Sequence, residues 1–491
     1  MQLLIGLDVG TSSVKGVLVS TEGRRIAVAR REVSLRRPAP GFIELVPEDH
    51  YRTVCGVIAE LASAKPAGDR VAAISMAFAS GNTLLVDAEG VPLTNIVSWL
   101  DTRTVGCMKD LLPEVDLGSV GREAGWPGIE TFPLAHLAWL RRHQSEEWRR
   151  AARFAMNNDW LSWRLTGRWG IDHSTATTFY LQDQVSRTWN RRLLDALGIP
   201  EPSLSPLLRS GTALGQLTPQ ASRDTGLTPD TLLVLGGFDH PCAARGTGTV
   251  APGDLLISCG TSWVGFYPCR DRDLLLSCSM LVDPFLSPGG PWGGMFSLSA
   301  IGVTVDWLVE TFVAPPNTTG AEKLRHFNDA AAAAPPGANG LFINPLRMIA
   351  PNAPRLQQLQ SRGREAVARA VMEGTAFEMR RRLETMASAG LDAERIAMVG
   401  GPSESPVWPR ILAEATGREL KLGDGQIAGA VGAAILAGTG SGLFKDLADG
   451  IARCDTEGKL VTPSSHAVRS YAELFEEYRN TVDRPEADSI A

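Results

Sequence analysis

Small and hydroxyl-bearing residues follow a short apolar run at the start of the chain. Residues 3–7 are apolar and lead into Asp8-Val9-Gly10-Thr11-Ser12-Ser13, with Lys15 two residues further on. Gly, Thr and Ser in a turn between strands let backbone N–H groups and hydroxyls approach a phosphate without side-chain obstruction. Asp8, at the end of the first strand, is placed to hold a magnesium ion through water. The pattern predicts a phosphate-binding hairpin, and an ordinary hairpin is the alternative.

The same unit recurs just past the middle of the chain. A second apolar run at residues 254–258 is followed by Gly260-Thr261-Ser262, and Val264-Gly265-Phe266-Tyr267 then resumes a strand. A turn of this kind opens each half of the chain. The pair fits a nucleotide held in a cleft between two duplicated domains.

Other nucleotide-binding signatures are missing from the sequence. No G-x-x-x-x-G-K-[ST] occurs, the glycines at residues 438–442 have the wrong spacing for G-x-G-x-x-G, and residues 246–248 lack the third glycine. A P-loop enzyme and a Rossmann dehydrogenase are therefore both disfavoured.

Strands and helices alternate along the chain and must position these turns. Apolar periodicity predicts helices at residues 47–64, 303–311, 365–387 and 406–415, and strands at residues 71–77, 83–86, 341–344 and 396–399. Such alternation argues for an α/β architecture. The Pro/Gly-rich stretch at residues 247–253 is the natural boundary. We therefore predict one domain over residues 1–247, a second over residues 248–482, and a polar tail at residues 483–491.

Composition sets limits on the function. The 491 residues include 48 Lys+Arg and 54 Asp+Glu, a net charge of −6, so no basic excess favours nucleic acid or an anionic membrane. Apolar runs fall far short of the roughly 20 residues that a membrane helix needs, and the N-terminus does not resemble a secretory signal. We expect a soluble, cytoplasmic protein. The seven cysteines are scattered without a CxxC pair, which predicts reduced and mostly buried thiols.

Eight short motifs occur in one order over nearly the whole chain. They are residues 4–12 with Lys15; Trp99-Leu100-Asp101-Thr102-Arg103; Leu165-Thr166-Gly167 with Asp172 and Ser174; Gly236-Gly237-Phe238-Asp239; Gly260-Thr261-Ser262; Arg369-Ala370 with residues 373–377; Gly400-Gly401 with Ser403, Ser405, Pro406 and Trp408; and Gly432-Ala433-Ala434. In this order they resemble the FGGY-family carbohydrate kinases, and xylulokinases in particular, within the actin, hexokinase and Hsp70 ATPase superfamily. The resemblance implies two ribonuclease H-like α/β domains with an interdomain cleft, and the use of ATP and Mg²⁺.

The resemblance also assigns roles on the nucleotide side. Asp239 would be the catalytic base, because a sugar hydroxyl needs a carboxylate to accept its proton; a turn or helix-cap aspartate is the structural alternative. Asp8 would hold Mg²⁺ through water, and Asp239 would be a second residue of the metal site. The residues expected to line the triphosphate are Gly10, Thr11, Ser12, Lys15, Gly260, Thr261 and Ser262. Those expected beside the adenosine are Gly302, Asp306, Gly400, Gly401 and Ser405.

The expected sugar contacts depart from the family pattern. Trp99, Asp101 and Arg103 could supply an aromatic face and hydrogen bonds, or could form a packed Trp beside a surface ion pair. Xylulokinases usually carry Gln-Met-His-Gly where this chain reads Ala79-Ser80-Gly81-Asn82. Glycerol kinases place an Arg-Glu pair in this region, and none is present.

Two further positions differ from the pattern. His240 stands where xylulokinases commonly have Asn and is either a sugar contact or structural, and Ile427 replaces a usual Glu, with Gln426 adjacent. The run Arg380-Arg381-Arg382 is predicted to be the solvated face of a helix.

The sequence therefore predicts an ATP- and Mg²⁺-dependent kinase that phosphorylates a primary hydroxyl of a small linear sugar, a ketopentose of the xylulose or ribulose type. The substrate alternatives are a polyol, a deoxy sugar or a sugar acid. Outside this activity, a non-kinase ATPase or regulator of the same fold and a weakly active, degraded kinase stay open. A nicotinamide oxidoreductase lacks its glycine fingerprint. The expected partner is a small molecule, and a homodimer is left open.

Overall fold

The computed structural model describes residues 1–127, 130–260, 262–285, 291–299, 301–347, 359, 361–454 and 458–483. Thr261 and residues 484–491 of the predicted tail lie outside the described residues. Within that part of the chain, the strands are β1 (Gln2–Val9), β2 (Ser13–Ser20), β3 (Arg25–Glu32), β4 (Glu44–Leu45), β5 (Arg70–Phe78), β6 (Leu84–Val86), β7 (Ile96–Val97), β8 (Arg153–Ala155), β9 (Ile171–Asp172), β10 (Gln182–Asp183), β11 (Thr188–Trp189), β12 (Leu207–Leu208), β13 (Ala213–Gln216), β14 (Leu232–Phe238), β15 (Asp254–Cys259), β16 (Trp263–Cys269), β17 (Leu281–Asp283), β18 (Trp292–Leu298), β19 (Arg395–Gly400), β20 (Leu420–Leu422) and β21 (Lys459–Val461).

Helices connect these strands. Within the described ranges the α-helices are α1 (Pro47–Ser63), α2 (Met108–Leu111), α3 (Leu117–Ala124), α4 (Pro133–His143), α5 (Ser145–Arg150), α6 (Asn157–Thr166), α7 (His173–Thr177), α8 (Arg191–Leu197), α9 (Pro219–Thr225), α10 (Asp239–Thr247), α11 (Arg272–Ser277), α12 (Ile301–Leu308), α13 (Gly320–Ala333), α14 (Arg364–Ser388), α15 (Trp408–Thr416), α16 (Ala428–Gly440), α17 (Leu447–Cys454) and α18 (Ser465–Val482). A π-helical turn at Val309–Val313 continues α12.

The chain divides into two compact units. Unit 1 comprises Met1–Val250, Pro268–Gly294 and Ile427–Asp455, and unit 2 comprises Ala251–Tyr267, Met295–Gln426 and Thr456–Ala491. The sequence predicts a single division at residues 247 and 248. In the structure, the first segment of unit 1 ends at Val250, and the later segments Pro268–Gly294 and Ile427–Asp455 also belong to unit 1.

Unit 1 is built on a six-stranded sheet in the order β13-β14-β5-β1-β2-β3. Strands β14, β5 and β1 are parallel, and β1 forms an antiparallel hairpin with β2. Alternate residues of β1 point to opposite faces: Leu3, Ile5 and Leu7 join the cluster that includes α1, whereas Leu4 joins the cluster formed with α16. Burial on both faces explains why β1 is a nearly continuous apolar run.

Unit 2 repeats the arrangement. Strands β15 and β16 form an antiparallel hairpin, and β15, β19 and β20 are parallel to one another. Across the sheet these strands lie in the order β16-β15-β19-β20-β21. In each unit a hairpin with a Gly/Thr/Ser turn pairs with a parallel strand from later in the chain. The predicted duplication and the predicted α/β architecture are confirmed.

Helix α16 joins unit 1 through close backbone packing against α10. A Cβ atom added at Gly432 would overlap the Cys242 carbonyl oxygen, and one added at Gly246 would overlap the Ala428 carbonyl oxygen. The two helices can approach this closely only because both positions are glycine. The Gly432-Ala433-Ala434 motif is therefore a helix-packing surface.

Most of the predicted elements are confirmed, and three local predictions differ from the structure. The helix predicted at residues 406–415 begins two residues later, as α15. Residues 341–344 form no strand, since only residue 343 has an isolated bridge. The arginines at 380–382 are half-buried rather than solvated, with Arg380 4.4 Å above the Phe475 ring and Arg381 paired with Asp483.

The cysteines agree with a further prediction from the sequence. All seven cysteines are free thiols and five of them are buried, as predicted. Among the described residues, no helix combines the length and apolar character needed to cross a membrane.

Candidate active site

The ends of three adjacent parallel strands carry the predicted residues of unit 1. Register pairs Val9 of β1 with Phe78 of β5, and Phe78 with Phe238 of β14. Asp8, the loop from Ala79 and Asp239 therefore emerge at one edge of the sheet. The carboxyl ends of parallel strands are where α/β proteins bind ligands.

Asp8 is a carboxylate in a poorly hydrated position. It lies opposite Lys15 in the hairpin. A Cβ added at Gly429, in the first turn of α16, would be only 3.2 Å from its carboxyl carbon. The pKa of Asp8 is raised to about 6, because burial and the negative charge of Asp239 raise it more than Lys15 lowers it. The two carboxylates thus lie close enough to repel each other.

Asp239 is the first residue of α10. Its Oδ1 accepts a hydrogen bond from the backbone N–H of His240 at 2.7 Å, and its side chain is 28% exposed. Burial raises the pKa of Asp239, although His240 and the helix N–H groups lower it. The Nε2 atom of His240 lies 3.9 Å from Asp239 Oδ1. Asp239 is positioned to accept a proton from a hydroxyl at this edge of the sheet.

The turn between β1 and β2 is tied to a tryptophan from a later loop. Gly10 N–H donates to the Ser13 carbonyl at 3.1 Å, and the Ser12 carbonyl accepts from Val33 N–H at 2.9 Å. The Thr11 hydroxyl accepts from the indole Nε1 of Trp99 at 2.8 Å. The structure therefore brings Trp99, an expected sugar contact, to the expected phosphate turn.

The loop after β5 lies against the same tryptophan. Trp99 N–H donates to Asn82 Oδ1 at 3.0 Å, and Ser80 Oγ donates to the Phe78 carbonyl at 3.3 Å. Gly81 has φ +98°, and an added Cβ would lie 2.6 Å from the Phe132 ring and 3.1 Å from Trp99 Cβ. Only glycine fits here, so residues 80–82 and Trp99 form one packed surface.

Asp101 and Arg103 direct their polar atoms into the protein. Arg103 forms a two-point ion pair with Asp101 at 2.8 and 2.7 Å and contacts Glu44 at 2.7 Å. Asp101 also accepts from Ile43 N–H at 2.6 Å, and the guanidinium stacks 3.8 Å from the Phe42 ring. The pair is buried and stabilises the loop that carries Trp99. Direct contact of these two residues with a sugar stays a prediction.

A cavity of about 670 Å³ lies within unit 2. Its lining includes five of the residues predicted for the nucleotide, which are Gly260, Gly302, Asp306, Gly401 and Ser405. Trp263, Phe327 and Trp408 form an aromatic wall, with Trp263 and Trp408 ring centroids 5.2 Å apart. An apolar wall beside polar groups suits a flat heterocyclic base.

Gly400 shapes this cavity without lining it. It ends β19 with φ +101°, and an added Cβ would overlap the Cys259 carbonyl oxygen. The glycine lets β19 approach the end of β15. At Gly401, by contrast, an added Cβ meets no atom within 4 Å among the described residues.

Asn328 is a site residue that sequence reasoning missed. Ser405 Oγ accepts from Val407 N–H at 3.2 Å and from Trp408 N–H at 3.0 Å, so its proton must point to Asn328 Oδ1 at 2.6 Å. The Asn328 amide therefore offers its nitrogen, a donor only, to other groups. Asn328 lies in α13 and lines the cavity. No sequence motif marks it, because its role depends on a contact across 77 residues.

The donor set of unit 1 fits a hard divalent cation. Asp8 and Asp239 bring two mutually repelling carboxylates together, with Lys15 opposing their charge. Mg²⁺ is typically held by one or two carboxylates plus waters and substrate phosphates. Within the described ranges, no three His, Cys, Asp or Glu side chains converge as a larger metal site.

Comparisons with known proteins cover nearly the whole chain. The family model described as "FGGY family of carbohydrate kinases, N-terminal domain" matches residues 3–246. The corresponding C-terminal domain model matches residues 255–441.

Individual relatives also match nearly the whole chain. A xylulose kinase from Bacillus subtilis (strain 168) is 28% identical over 504 residues, covering 98% of this chain and 96% of the relative. An autoinducer-2 kinase from Salmonella typhimurium is 28% identical over 512 residues, covering 98% and 95%. The crystal structure of a xylulose kinase from Rhodospirillum rubrum superposes with a TM-score of 0.85 at 25% identity, covering 98% of each chain.

Proposed function

Because the chain belongs to the FGGY family of carbohydrate kinases and is therefore an ATP-dependent sugar kinase, we propose that it phosphorylates a primary hydroxyl of a ketopentose. Its fold is the two-domain actin-like ATPase fold of that family. The observation that carries the proposal is the placement of Asp239 at the end of β14, at the same sheet edge as Asp8 and the loop from Ala79 to Asn82.

Asp239 is proposed as the catalytic base. The sugar hydroxyl gives its proton to the Asp239 carboxylate while its oxygen bonds to the γ-phosphorus of ATP, and the bond between that phosphorus and the β–γ bridging oxygen breaks to release ADP. The partial exposure of Asp239, at 28%, leaves its carboxylate accessible to a small substrate. Its raised pKa brings it closer to the range of a useful base.

Mg²⁺ is proposed to lie beside Asp8 and Asp239. When bound, it would neutralise charge on the phosphate groups. Asp8 would hold its hydration water, and Lys15 with the N–H groups of Thr11 and Ser12 would face the phosphates, while the Gly10 N–H bonds within the turn. The first turn of α16 at Gly429 adds the positive end of a helix dipole beside Asp8.

The cavity of unit 2 is proposed to hold the adenosine of ATP. Gly401 and Ser405 stand at the start of the segment that leads into α15, where backbone N–H groups can approach a ligand closely. The aromatic wall of Trp263, Phe327 and Trp408 would pack against the base. Gly260 and Ser262 would reach the phosphates, and Thr261 would join them.

The relatives support a ketopentose as the proposed substrate. A xylulose kinase is among the relatives that match nearly the full length. Ser80 and Gly81 are smaller than the Met-His of the usual xylulokinase loop, but the Phe132 ring and Trp99 pack against Gly81, so the space of the missing side chain is already filled there. A polyol, a deoxy sugar, a sugar acid or the autoinducer-2 type of substrate is an alternative outcome of the same test.

A panel assay identifies the acceptor. ADP release from Mg-ATP is measured with D-xylulose, L-xylulose, D-ribulose and L-ribulose, together with hexuloses, pentitols, gluconate and autoinducer-2. We expect one pentulose to give the highest kcat/KM. A higher value for a polyol, an acid or autoinducer-2 would move the assignment to that class. A rate that no compound raises would favour the regulator alternative.

Three broader assignments stay predictions. They are a cytoplasmic location, assembly as a homodimer, and the division of roles between residues 1–247 and residues 248–482. Size-exclusion chromatography with light scattering tests the second of these.

A further inference from the structure

A buried polar cluster lies behind Asp239 and takes no part in the proposed proton transfer. Ser174 in α7 is 1% exposed, Asp283 at the end of β17 is 0% exposed, and Arg245 in α10 is 1% exposed. All three belong to unit 1. Burying an ionisable group is costly unless it is paired and hydrogen-bonded, so the hydrogen bonds of these three residues are informative.

Ser174 joins the end of β14 to Asp283. Its Oγ accepts from the backbone N–H of Phe238 at 3.2 Å and donates to Asp283 Oδ2 at 2.8 Å. A serine hydroxyl has one proton, and Phe238 N–H can only donate. The two hydrogen bonds therefore run in one direction: Phe238 N–H donates to Ser174, and Ser174 donates to the Asp283 carboxylate.

Asp283, the last acceptor in this series of hydrogen bonds, is held in place through the preceding residue. The Val282 carbonyl, one residue before Asp283, accepts from Gln184 Nε2 at 2.8 Å and from Trp126 Nε1 at 3.2 Å. Asp283 thus occupies a fixed position, although it lies 109 residues from Ser174 in sequence. The pKa of Asp283 is raised to about 7, because burial outweighs the Ser174 hydrogen bond and the positive charge of Arg245, which both favour the ionised carboxylate.

Phe238 is the residue whose backbone aims Asp239. It is the last residue of β14, and Asp239 begins α10 directly after it. One peptide unit separates the N–H that Ser174 holds from the carboxylate that would receive the proton. A displacement of about 1 Å in a reacting group can lower a rate on the order of a hundredfold.

We propose that Ser174 and Asp283 are positioning residues for Asp239, acting through Phe238 N–H, and we call Phe238 N–H, Ser174 and Asp283 the strand-end relay. The relay rests on the proposed role of Asp239 as the base. Asp283 touches no substrate in this scheme. It orients Ser174, and Ser174 fixes the peptide that presents the base.

Hydrogen exchange tests the relay without a sugar. In the full chain, peptide-level deuterium uptake is followed at Phe238. We expect faster exchange in Ser174→Ala and in Asp283→Leu, and near wild-type exchange in Asp283→Asn, whose amide oxygen can still accept from Ser174. Thr178→Val is the matched control. It removes a buried hydroxyl just after α7 that bonds Thr175 and Met156 rather than β14. Unchanged exchange in Ser174→Ala would overturn the proposal.

Kinetics test the consequence for catalysis. With Mg-ATP and D-xylulose, Ser174→Ala is expected to lower kcat by about tenfold to a hundredfold, with the KM for ATP unchanged. Thr178→Val should stay close to wild type. In an Asp239→Asn background, Ser174→Ala should have no further effect, because the group that it positions is already lost.

The outcomes separate the relay from the proposed function. A full additional loss in the double variant would mean that Ser174 acts on overall structure, and it would overturn the relay. Wild-type kcat in Asp239→Asn would overturn both the base assignment and the relay. If D-xylulose is not phosphorylated, the ketopentose assignment is weakened, and hydrogen exchange at Phe238 still decides whether the relay exists.

Discussion

The indole Nε1 of Trp99 donates a hydrogen bond to the hydroxyl of Thr11 at 2.8 Å. The bond joins the loop of Trp99, which packs against Gly81 and Asn82, to the turn of the first hairpin. Trp99, which is expected to face the sugar, is thus hydrogen-bonded to Thr11, which is expected to face the phosphate. The two motifs therefore lie side by side in unit 1.

Removing this bond should lower catalytic efficiency. Trp99→Phe keeps an aromatic ring but loses the donor, and one hydrogen bond contributes about 0.5–1.5 kcal/mol. We expect kcat/KM for the sugar to fall by about twofold to tenfold. In a Thr11→Val background the same substitution should have little further effect. Equal losses in the two backgrounds would show that Trp99 acts independently of Thr11.

Two neighbouring glycines should respond differently to alanine. Gly400→Ala forces a side chain into the Cys259 carbonyl at φ +101°, and strain of this kind costs about 1–3 kcal/mol or more. Gly401→Ala meets no described atom within 4 Å but lines the cavity. We expect a lower Tm only for Gly400→Ala, and a raised KM for ATP in Gly401→Ala with Tm unchanged. Equal melting temperatures for the two variants would contradict the account of Gly400.

The amide of Asn328 should contribute to nucleotide binding. Asn328→Asp keeps an oxygen that can accept from Ser405 but removes the amide donor, so we expect the KM for ATP to rise by about tenfold. Ser405→Ala frees the amide to rotate and should raise the same KM less. The kcat at saturating ATP should be unaffected in both. An unchanged KM in Asn328→Asp would remove Asn328 from the nucleotide site.

His136 should make stability depend on pH. The pKa of His136 is lowered from 6.5 to about 3, because burial lowers it far more than Asp101 raises it, and Arg103 adds to the lowering. Below pH 6.5 the unfolded chain binds a proton that the folded chain does not, so the stability contributed by neutral His136 falls as pH falls. Relative to His136→Asn, which cannot titrate, the wild type should lose about 1.4 kcal/mol of unfolding free energy between pH 7.5 and 5.5. Urea unfolding of both proteins measures this difference, and a constant difference would contradict the assigned pKa.

Local sequence patterns predicted the elements that form by local rules. Both hairpins, α1 and α14 follow from apolar spacing and turn residues, and the motif order indicated the family. The strand predicted at residues 341–344 was wrong, because a short apolar run does not by itself distinguish a buried strand from other buried structure. Residues 427–455 return to unit 1 through glycine contacts between α16 and α10, which no local pattern encodes.

Local sequence patterns were limited in the same way for the residues of the candidate site. Asp8, Trp99, Asp239 and the glycines were predictable because they belong to motifs. Asn328 and Asp283 were not, since their roles come from hydrogen bonds to Ser405 and Ser174 over 77 and 109 residues. Asp101 and Arg103 looked like sugar ligands in sequence, and the structure shows their polar atoms bonded to each other, Glu44 and Ile43.

The central claim is that Asp239 accepts the proton of a ketopentose hydroxyl. The direct measurement is kcat for the pentulose that is phosphorylated best, in the wild type and in Asp239→Asn, together with the Kd of each protein for ADP. We predict that kcat falls by about a hundredfold to ten-thousandfold while the Kd for ADP is unchanged. A variant that keeps wild-type kcat would show that another group accepts the proton.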